Sequence, residues 1–208
     1  MKTRLLSIAL VAILLFSMVS CDLLKSKDEE PKTETPTINV YTLNGTTGFG
    51  MAKLMNDAKA GTTTEKYNFS VQTDASNVTA ALLNGSADIA ALPTNAAANI
   101  YNKSEGGVVV RRAFLESYPE AVENFLKEYK ASIEYLSTDR DSAAQMIVDN
   151  GIFTSAPVAK KALPNCNVCF LDGAAMKSAM QTYLDILFGI APASVGNKLP
   201  ADDFYYAK

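Results

Sequence analysis

Apolar residues between Thr37 and Asn102 cluster into three short runs, and each run is followed by a segment with helical spacing. The runs are Ile38 to Leu43, Tyr67 to Thr73 and Ile89 to Leu92. Pro93 ends the third run, which is too short for a core helix. Three strand-and-helix units at this spacing predict a small parallel sheet.

The helices after these strands each present one apolar face. The apolar positions expected to be buried are Phe49, Ala52 and Met55 after the first strand and Val78, Ala81 and Leu82 after the second. An alanine-rich helix from Ala96 to Tyr101 is predicted after the third strand, with Thr94 or Asn95 as its N-cap. The third strand therefore leads directly into a helix N-terminus, where unpaired backbone N–H groups can bind a small ligand.

The chain changes character after a turn at Glu105 to Gly107. Val108 to Arg112 is predicted to be a returning strand, and Ser117 to Glu120 has the pattern of a capping box before a long helix. Further helices are expected at residues 140–149 and 157–163. The predicted fold is α/β, with one lobe of three βα units plus a returning strand, followed by a mainly helical C-terminal part.

A last long helix is predicted to begin at Asp172, after a brief strand from Asn167 to Leu171. The residues expected on its apolar face are Met176, Met180, Tyr183, Leu184 and Leu187. We interpret the methionines as core filler rather than as ligands of a soft metal.

Cys166 and Cys169 have the spacing of a redox motif, but they lie in a predicted loop after Pro164 rather than at a helix start. We expect Cys169 to be buried and Cys166 to be partly exposed. A strained disulfide and a thiol-exchange enzyme are the alternatives.

The first 36 residues differ in composition from the rest of the chain. Lys2 and Arg4 precede an apolar stretch from Leu5 to Phe16, which is shorter than a membrane span and typical of a secretory signal. Residues 1–20 are therefore predicted to be a signal peptide. Residues 21–36 are rich in charged residues, Thr and Pro, and they are predicted to form a disordered tether.

The segment from Met18 to Cys21 resembles a bacterial lipobox, in which the signal is cleaved before the Cys and the Cys becomes diacylated. The resemblance implies that Cys21 is the lipidation site. It also implies an extracytoplasmic protein that is lipid-anchored to the bacterial cell membrane. An uncleaved N-terminal anchor or a plain secretory signal is the alternative.

The chain has 208 residues, a formal net charge of −3 and no His. Without His, the Ser-His-Asp and Cys-His catalytic arrangements and most zinc sites are excluded. The composition shows no basic stripe of the kind that binds nucleic acid. We therefore expect a non-enzymatic protein with no catalytic residues, no metal ligands, no cofactor and no nucleic-acid partner.

Three polar loops follow the predicted strands: Asn44 to Gly48, Thr73 to Asn77 and Pro93 to Asn95. In a parallel sheet these loops meet at one edge, where open α/β sheets bind small ligands. Glycines let a ligand approach the backbone, polar side chains supply hydrogen bonds, and helix N-termini favour an anionic group. The candidate ligand-binding residues are Asn44, Gly45, Thr46, Thr47, Gly48, Ser76, Thr94 and Asn95. The alternative is that these residues only cap their own helices.

Three segments, together with the lipobox, resemble the periplasmic-binding-protein-like families: Leu43 to Gly50, Asn84 to Asn95 and Val109 to Val122. The resemblance is to substrate-binding lipoproteins of ABC importers of the nitrate, sulfonate, taurine and thiamine-precursor type (periplasmic binding protein-like II). It implies a solute-binding subunit with a small-molecule ligand, anionic or neutral, and with an ABC permease and ATPase as partners.

Binders of this kind have two α/β lobes of roughly 100 to 150 residues each, and they hold the ligand between the lobes. Residues 37–208 supply only one such lobe with C-terminal helices, so a second lobe is predicted to be missing near residues 106–108. We therefore expect weak solute binding by this chain alone. The alternative function is a lipid-anchored structural or partner-binding lipoprotein whose exposed face is covered by a second copy, as a homodimer.

Overall fold

Strand β1 (Ile38–Leu43) forms the centre of a three-stranded sheet, with β2 (Tyr67–Gln72) on one side and β3 (Ile89–Ala90) on the other. Both pairings are parallel, and Leu43 lies opposite Gln72 while Tyr41 lies opposite Ala90. The computed structural model describes residues 35–93, 110–166 and 168–206, all within one compact unit that begins at Thr35. The predicted parallel sheet of an α/β fold is confirmed.

The two faces of the sheet carry separate apolar clusters. Ile38, Val40 and Ile89 point to the first face, where they pack with α1 (Thr46–Phe49) and α2 (Ala52–Ala60). Leu43 and Ala90 point to the second face and pack with α3 (Ala75–Leu83). The chain moves from β1 to β2 in one direction and from β2 past β1 to β3 in the other. Right-handed crossovers therefore place the connecting helices on opposite faces.

The returning strand is shorter in the structure than the sequence predicts. Among the described residues it contributes one isolated antiparallel bridge, between Val110 and Ile89. Helix α4 (Arg112–Ser117) begins two residues later, because Arg111 is already its N-cap. Residues 108–109 and the predicted helix from Ala96 to Tyr101 lie outside the described residues.

Four further α-helices follow in the described chain: α5 (Pro119–Thr138), α6 (Arg140–Asp149), α7 (Ala156–Ala162) and α8 (Gly173–Ile190). Short 3-10 helices lie at Leu163–Asn165, Pro192–Val195 and Asp202–Phe204. The mainly helical C-terminal part is therefore confirmed. Within the described ranges, no helix combines the length and the hydropathy that a membrane span requires.

Two local predictions in this half are wrong. Ser117 is the last residue of α4, so it cannot take the extended backbone of an N-cap, and Tyr118 separates the two helices without a side-chain capping bond. The predicted strand before α8 is also absent, because residues 168–171 form irregular chain without a strand partner.

Helix α8 buries a narrower face than its apolar spacing predicts. Leu184 is fully buried against Val195, Phe204 and Tyr205, while Met176, Met180 and Leu187 are half-buried around this small cluster. Tyr183 is 47% exposed and lies on the outer side of the helix with Ile186 and Ile190. The prediction for Tyr183 is therefore wrong, since a single small cluster covers only part of the helix.

A side chain from another helix caps α2. The N-cap of α2 is Met51, which makes no side-chain capping bond. The hydroxyl of Ser132 on α5 accepts the N–H of Leu54 at 3.0 Å and donates to the carbonyl of Gly50 at 2.6 Å. All of these residues are buried, so Ser132 provides both partners where water cannot reach.

We expect Ser132→Ala to lower the free energy of unfolding by about 2 kcal/mol, because a buried N–H and a buried carbonyl lose their partner. Ser137→Ala is the matched control, since the exposed Ser137 hydroxyl bonds only within the same helix. The control should change the free energy by less than about 0.5 kcal/mol. Urea denaturation followed by circular dichroism measures both values, and equal effects would contradict the capping role.

Candidate functional site

The carboxyl ends of all three strands lie at one edge of the sheet, as the sequence predicts. The backbone N–H of Asn44 donates to the carbonyl of Gln72 at 2.9 Å, which joins the ends of β1 and β2. On the other side, the N–H of Ala91 donates to the carbonyl of Tyr41 at 2.9 Å. The order β2-β1-β3 also makes the ends of β1 and β3 a topological switch point.

The loop after β1 presents polar side chains on its outer side. Asn44 and Thr46 are exposed and Thr47 is half-buried. Their side chains make no hydrogen bond to other residues of the described ranges. Gly45, the N-cap of α1, has φ +75°, a conformation that L side chains rarely adopt. The described residues therefore leave these side chains available to an external partner.

The inner side of the same loop is closed by the segment between α6 and α7. The carbonyl of Ile152 accepts the N–H of Gly45 at 2.8 Å. A Cβ on Gly48 would lie 2.3 Å from the carbonyl oxygen of Leu43 and 2.8 Å from Cγ2 of Ile152. The absence of a side chain at Gly48 thus serves packing of the protein against itself, and the space beside it is not open to a ligand.

The loop after β2 is organised around a helix cap. Asp74 is the N-cap of α3, and its Oδ1 accepts the N–H of Ser76 at 2.8 Å. Hydrogen bonds from Ser76 hold the pKa of Asp74 below its usual value. Ser76 is exposed beside this cap. The last two candidates, Thr94 and Asn95, lie outside the described residues.

An ion pair missed by the sequence analysis lies at the opposite end of β3. The buried Asp88 accepts a hydrogen bond from Nη2 of Arg111 at 2.6 Å through Oδ1. Its Oδ2 accepts the backbone N–H of Asn39 at 3.0 Å and the side-chain Nδ2 of Asn39 at 3.3 Å. The N–H of Arg111 also donates to the carbonyl of Asp88 at 2.9 Å.

This ion pair joins two of the segments on which the family resemblance rests. Asp88 belongs to the segment from Asn84 to Asn95, and Arg111 belongs to the segment from Val109 to Val122. Opposite charges beside two apolar runs were a signal in the sequence, but a spacing of 23 residues identifies no contact by itself. The pair holds the returning chain against β3.

The two cysteines differ from expectation. Cys169 is exposed, whereas Cys166 is half-buried and its thiol donates to the carbonyl of Ala162 at 3.2 Å. Both thiols are free. In the described part of the chain, no three Cys, Asp or Glu residues come together in a way that could hold a metal ion.

Comparisons with known proteins identify the fold. No family model matches the chain, and no curated protein matches it. The chain is similar to the crystal structure of an ABC transporter from Parabacteroides distasonis, with a TM-score of 0.67 and 16% sequence identity. The match covers 83% of this chain and 99% of the other. The fold of this chain is therefore that of a protein described as an ABC transporter.

Proposed function

We propose that this chain is an extracytoplasmic solute-binding subunit of an ABC importer and that it acts by binding, without catalysis. The observation that carries the proposal is the strand order, which places Asn44, Thr46 and Thr47 at the switch point of an open α/β sheet. The fold shared with a protein described as an ABC transporter supports it. The partners would be an ABC permease and ATPase.

The proposed binding surface is built from neutral groups. Asn44 supplies an amide and the two threonines supply hydroxyls, so each can donate and accept hydrogen bonds. Thr94 and Asn95 would complete the surface from the end of β3. A single lobe offers half of a cleft, and affinity then lacks the contribution of closure around the ligand. In the cell, a lipidated Cys21 and the tether of residues 21–36 would hold this surface near the permease.

Calorimetry of the chain against small sulfonates, aromatic carboxylic acids and pyrimidines tests this function. We expect at least one of these classes to bind with a dissociation constant well above micromolar. The double variant Asn44→Ala with Thr46→Ala should weaken that binding about tenfold, because two hydrogen bonds to the ligand are lost. The exposed Thr182 on α8 offers the control Thr182→Ala, which should leave binding unchanged.

Two results would contradict the proposal. If the Asn44 and Thr46 substitutions left the binding of every class intact, the site would lie away from the switch point. Failure of every class to bind at millimolar concentration would remove the solute-binding function. Sub-micromolar binding by the monomer would instead contradict the missing second lobe, which stays a prediction about residues 106–108.

The exposed apolar side of α8 favours a second candidate function, a partner-binding lipoprotein. Ile186 is 58% exposed and Ile190 is 79% exposed on the same side of the helix. Apolar patches of this kind are common at protein interfaces. Size-exclusion chromatography with light scattering separates the candidates, since a stable dimer that Ile190→Asp disperses would favour partner binding.

A further inference from the structure

An apolar cavity of about 210 Å³ lies on the first face of the sheet, between β3, α5 and α8. Among the residues that line it are Phe125, Tyr129, Phe170, Met176, Met180 and Phe204. No described residue of the three candidate loops is among them. The cavity is therefore separate from the described part of the switch point, including Asn44, Thr46 and Thr47.

Aromatic rings shape the walls of this cavity. The rings of Phe125 and Tyr129 stack with 5.7 Å between their centroids, and Phe170 meets Tyr129 edge-on at 6.1 Å. Burial, with a smaller contribution from Cys169, raises the pKa of Tyr129 to about 12. Apolar cavities of about 150 Å³ hold one benzene molecule, so this one has room for a ring with a short substituent.

The mouth of the cavity carries charges of both signs. An adjoining pocket shares Leu126, Phe170, Asp172 and Tyr206 with the cavity, and Lys127 and Lys130 also line it. Glu123 lies there too, but its Oε1 accepts the hydroxyl of Tyr206 at 2.6 Å.

Three of these charges are unpaired within the described chain. Lys127, Lys130 and Asp172 make no ion pair with other described residues. Asp172 is the N-cap of α8 but makes no side-chain capping bond there. Two ammonium groups and one carboxylate thus lie at the opening of the apolar cavity.

We propose that this cavity binds an amino acid with an aromatic side chain, with the ring inside and the zwitterionic head at the mouth. The lysines would receive the ligand carboxylate, and Asp172 would receive its ammonium group. A ligand with only one of these charges leaves the opposite group of the mouth unmatched, and a neutral ring leaves all of them unmatched. The proposed site uses none of the described residues of the switch-point loops, and so its failure would leave the proposed function standing.

Three ligands with the same ring test the proposal: L-phenylalanine, 3-phenylpropionate and phenethylamine. We expect calorimetry of the full chain to show L-phenylalanine binding roughly threefold to fivefold tighter than either of the others, as one further exposed ion pair allows. Equal binding of all three, or no binding of any of them at about 10 mM, would overturn the proposal.

Charge variants should distinguish the contacts of the ligand carboxylate from those of its ammonium group. Asp172→Asn should weaken L-phenylalanine and phenethylamine by roughly threefold and leave 3-phenylpropionate unchanged. Lys127→Gln with Lys130→Gln should weaken the binding of L-phenylalanine and 3-phenylpropionate and leave the binding of phenethylamine unchanged. Lys161→Gln, an exposed lysine at the end of α7, is the control and should have no effect. A uniform effect of both sets of substitutions on all three ligands would overturn the assignment of the head groups.

The reactivity of Cys169 can report whether a ligand occupies the cavity, because Cys169 lines the cavity while Cys166 does not. Saturating L-phenylalanine should slow alkylation of Cys169 by iodoacetamide several-fold and leave Cys166 unaffected, as measured by peptide mass spectrometry. Met180→Trp, which fills the cavity, should abolish this protection in protein that still unfolds cooperatively. Protection that persists in the folded Met180→Trp protein would place the ligand elsewhere and overturn the proposal.

Discussion

Gly48→Ala is expected to lower the free energy of unfolding by about 3 kcal/mol, although the backbone at Gly48 suits any L residue. The new Cβ would lie 2.3 Å from the carbonyl oxygen of Leu43 and 2.8 Å from Ile152. The first of these neighbours is backbone of the central strand, so relief requires the loop and β1 to separate. Urea denaturation measures the loss, and the variant should also lose any ligand that binds at the switch point.

Gly189→Ala is the matched control for this substitution. Gly189 lies inside α8, and a Cβ there would meet nothing within 4 Å. Alanine loses less conformational entropy than glycine when a helix forms, so we expect this variant to be unchanged or more stable by up to about 1 kcal/mol. Equal stability of Gly48→Ala and the wild type would show that the loop moves away from β1 at little cost, and would contradict the tight packing.

Asp88→Ala is expected to lower the free energy of unfolding by about 3 kcal/mol. The substitution removes the acceptor for the backbone N–H of Asn39 and leaves the guanidinium of Arg111 without its partner. The Asp88 side chain is 9% exposed, so water does not readily replace it as an acceptor. Arg111 is 36% exposed, and partial solvation of its charge keeps the loss below the extreme for a fully buried pair.

A neighbouring arginine provides the control for this ion pair. Arg112 pairs with Asp203 at 3.1 Å, but both side chains are largely exposed, so Arg112→Ala should cost less than about 0.5 kcal/mol. Combining Asp88→Ala with Arg111→Ala should cost less than the sum of the single variants, because no unpaired charge remains. Strict additivity would contradict a direct interaction between the two residues.

The Asp88–Arg111 pair changes how the short apolar stretch around β3 is interpreted. The sequence predicts that residues 89–95 form a strand that leads into a ligand-binding helix start. The structure shows that the stretch around β3 also anchors the returning chain, through the ion pair and through the bridge between Ile89 and Val110. Its role in ligand binding, through Thr94 and Asn95, stays a prediction.

Local patterns predicted most elements because their signals lie within a few residues. Phe49, Ala52 and Met55 are largely buried at their predicted helical spacing, and Val78, Ala81 and Leu82 behave in the same way. The capping-box prediction at Ser117 was wrong, because the same sequence pattern occurs where Ser117 ends one helix just before the next helix begins. The predicted burial of the two cysteines was wrong, because their spacing carries no information about what packs against the loop.

The candidate site could be predicted only in part for the same reason. Parallel strands bring the loops after β1 and β2 to one edge, so Asn44 and Ser76 were placed at that edge from the sequence alone. The packing of Gly48 against Ile152 could not be predicted, because about 100 residues separate them. The apolar cavity could not be predicted either, since its walls come from β3, α5, α8 and the C-terminal residues, which are far apart in the sequence.

The sequence by itself determined the alternation of strands and helices, the α/β class and the mainly helical second half, since periodicity and breakers act locally. Only the tertiary structure decided the strand order, the Ser132 cap of α2, the pairing of Asp88 with Arg111 and the face that α8 buries. Each of these depends on which distant segments meet. A side chain's partner across the fold is set by packing of the whole chain, which no short pattern contains.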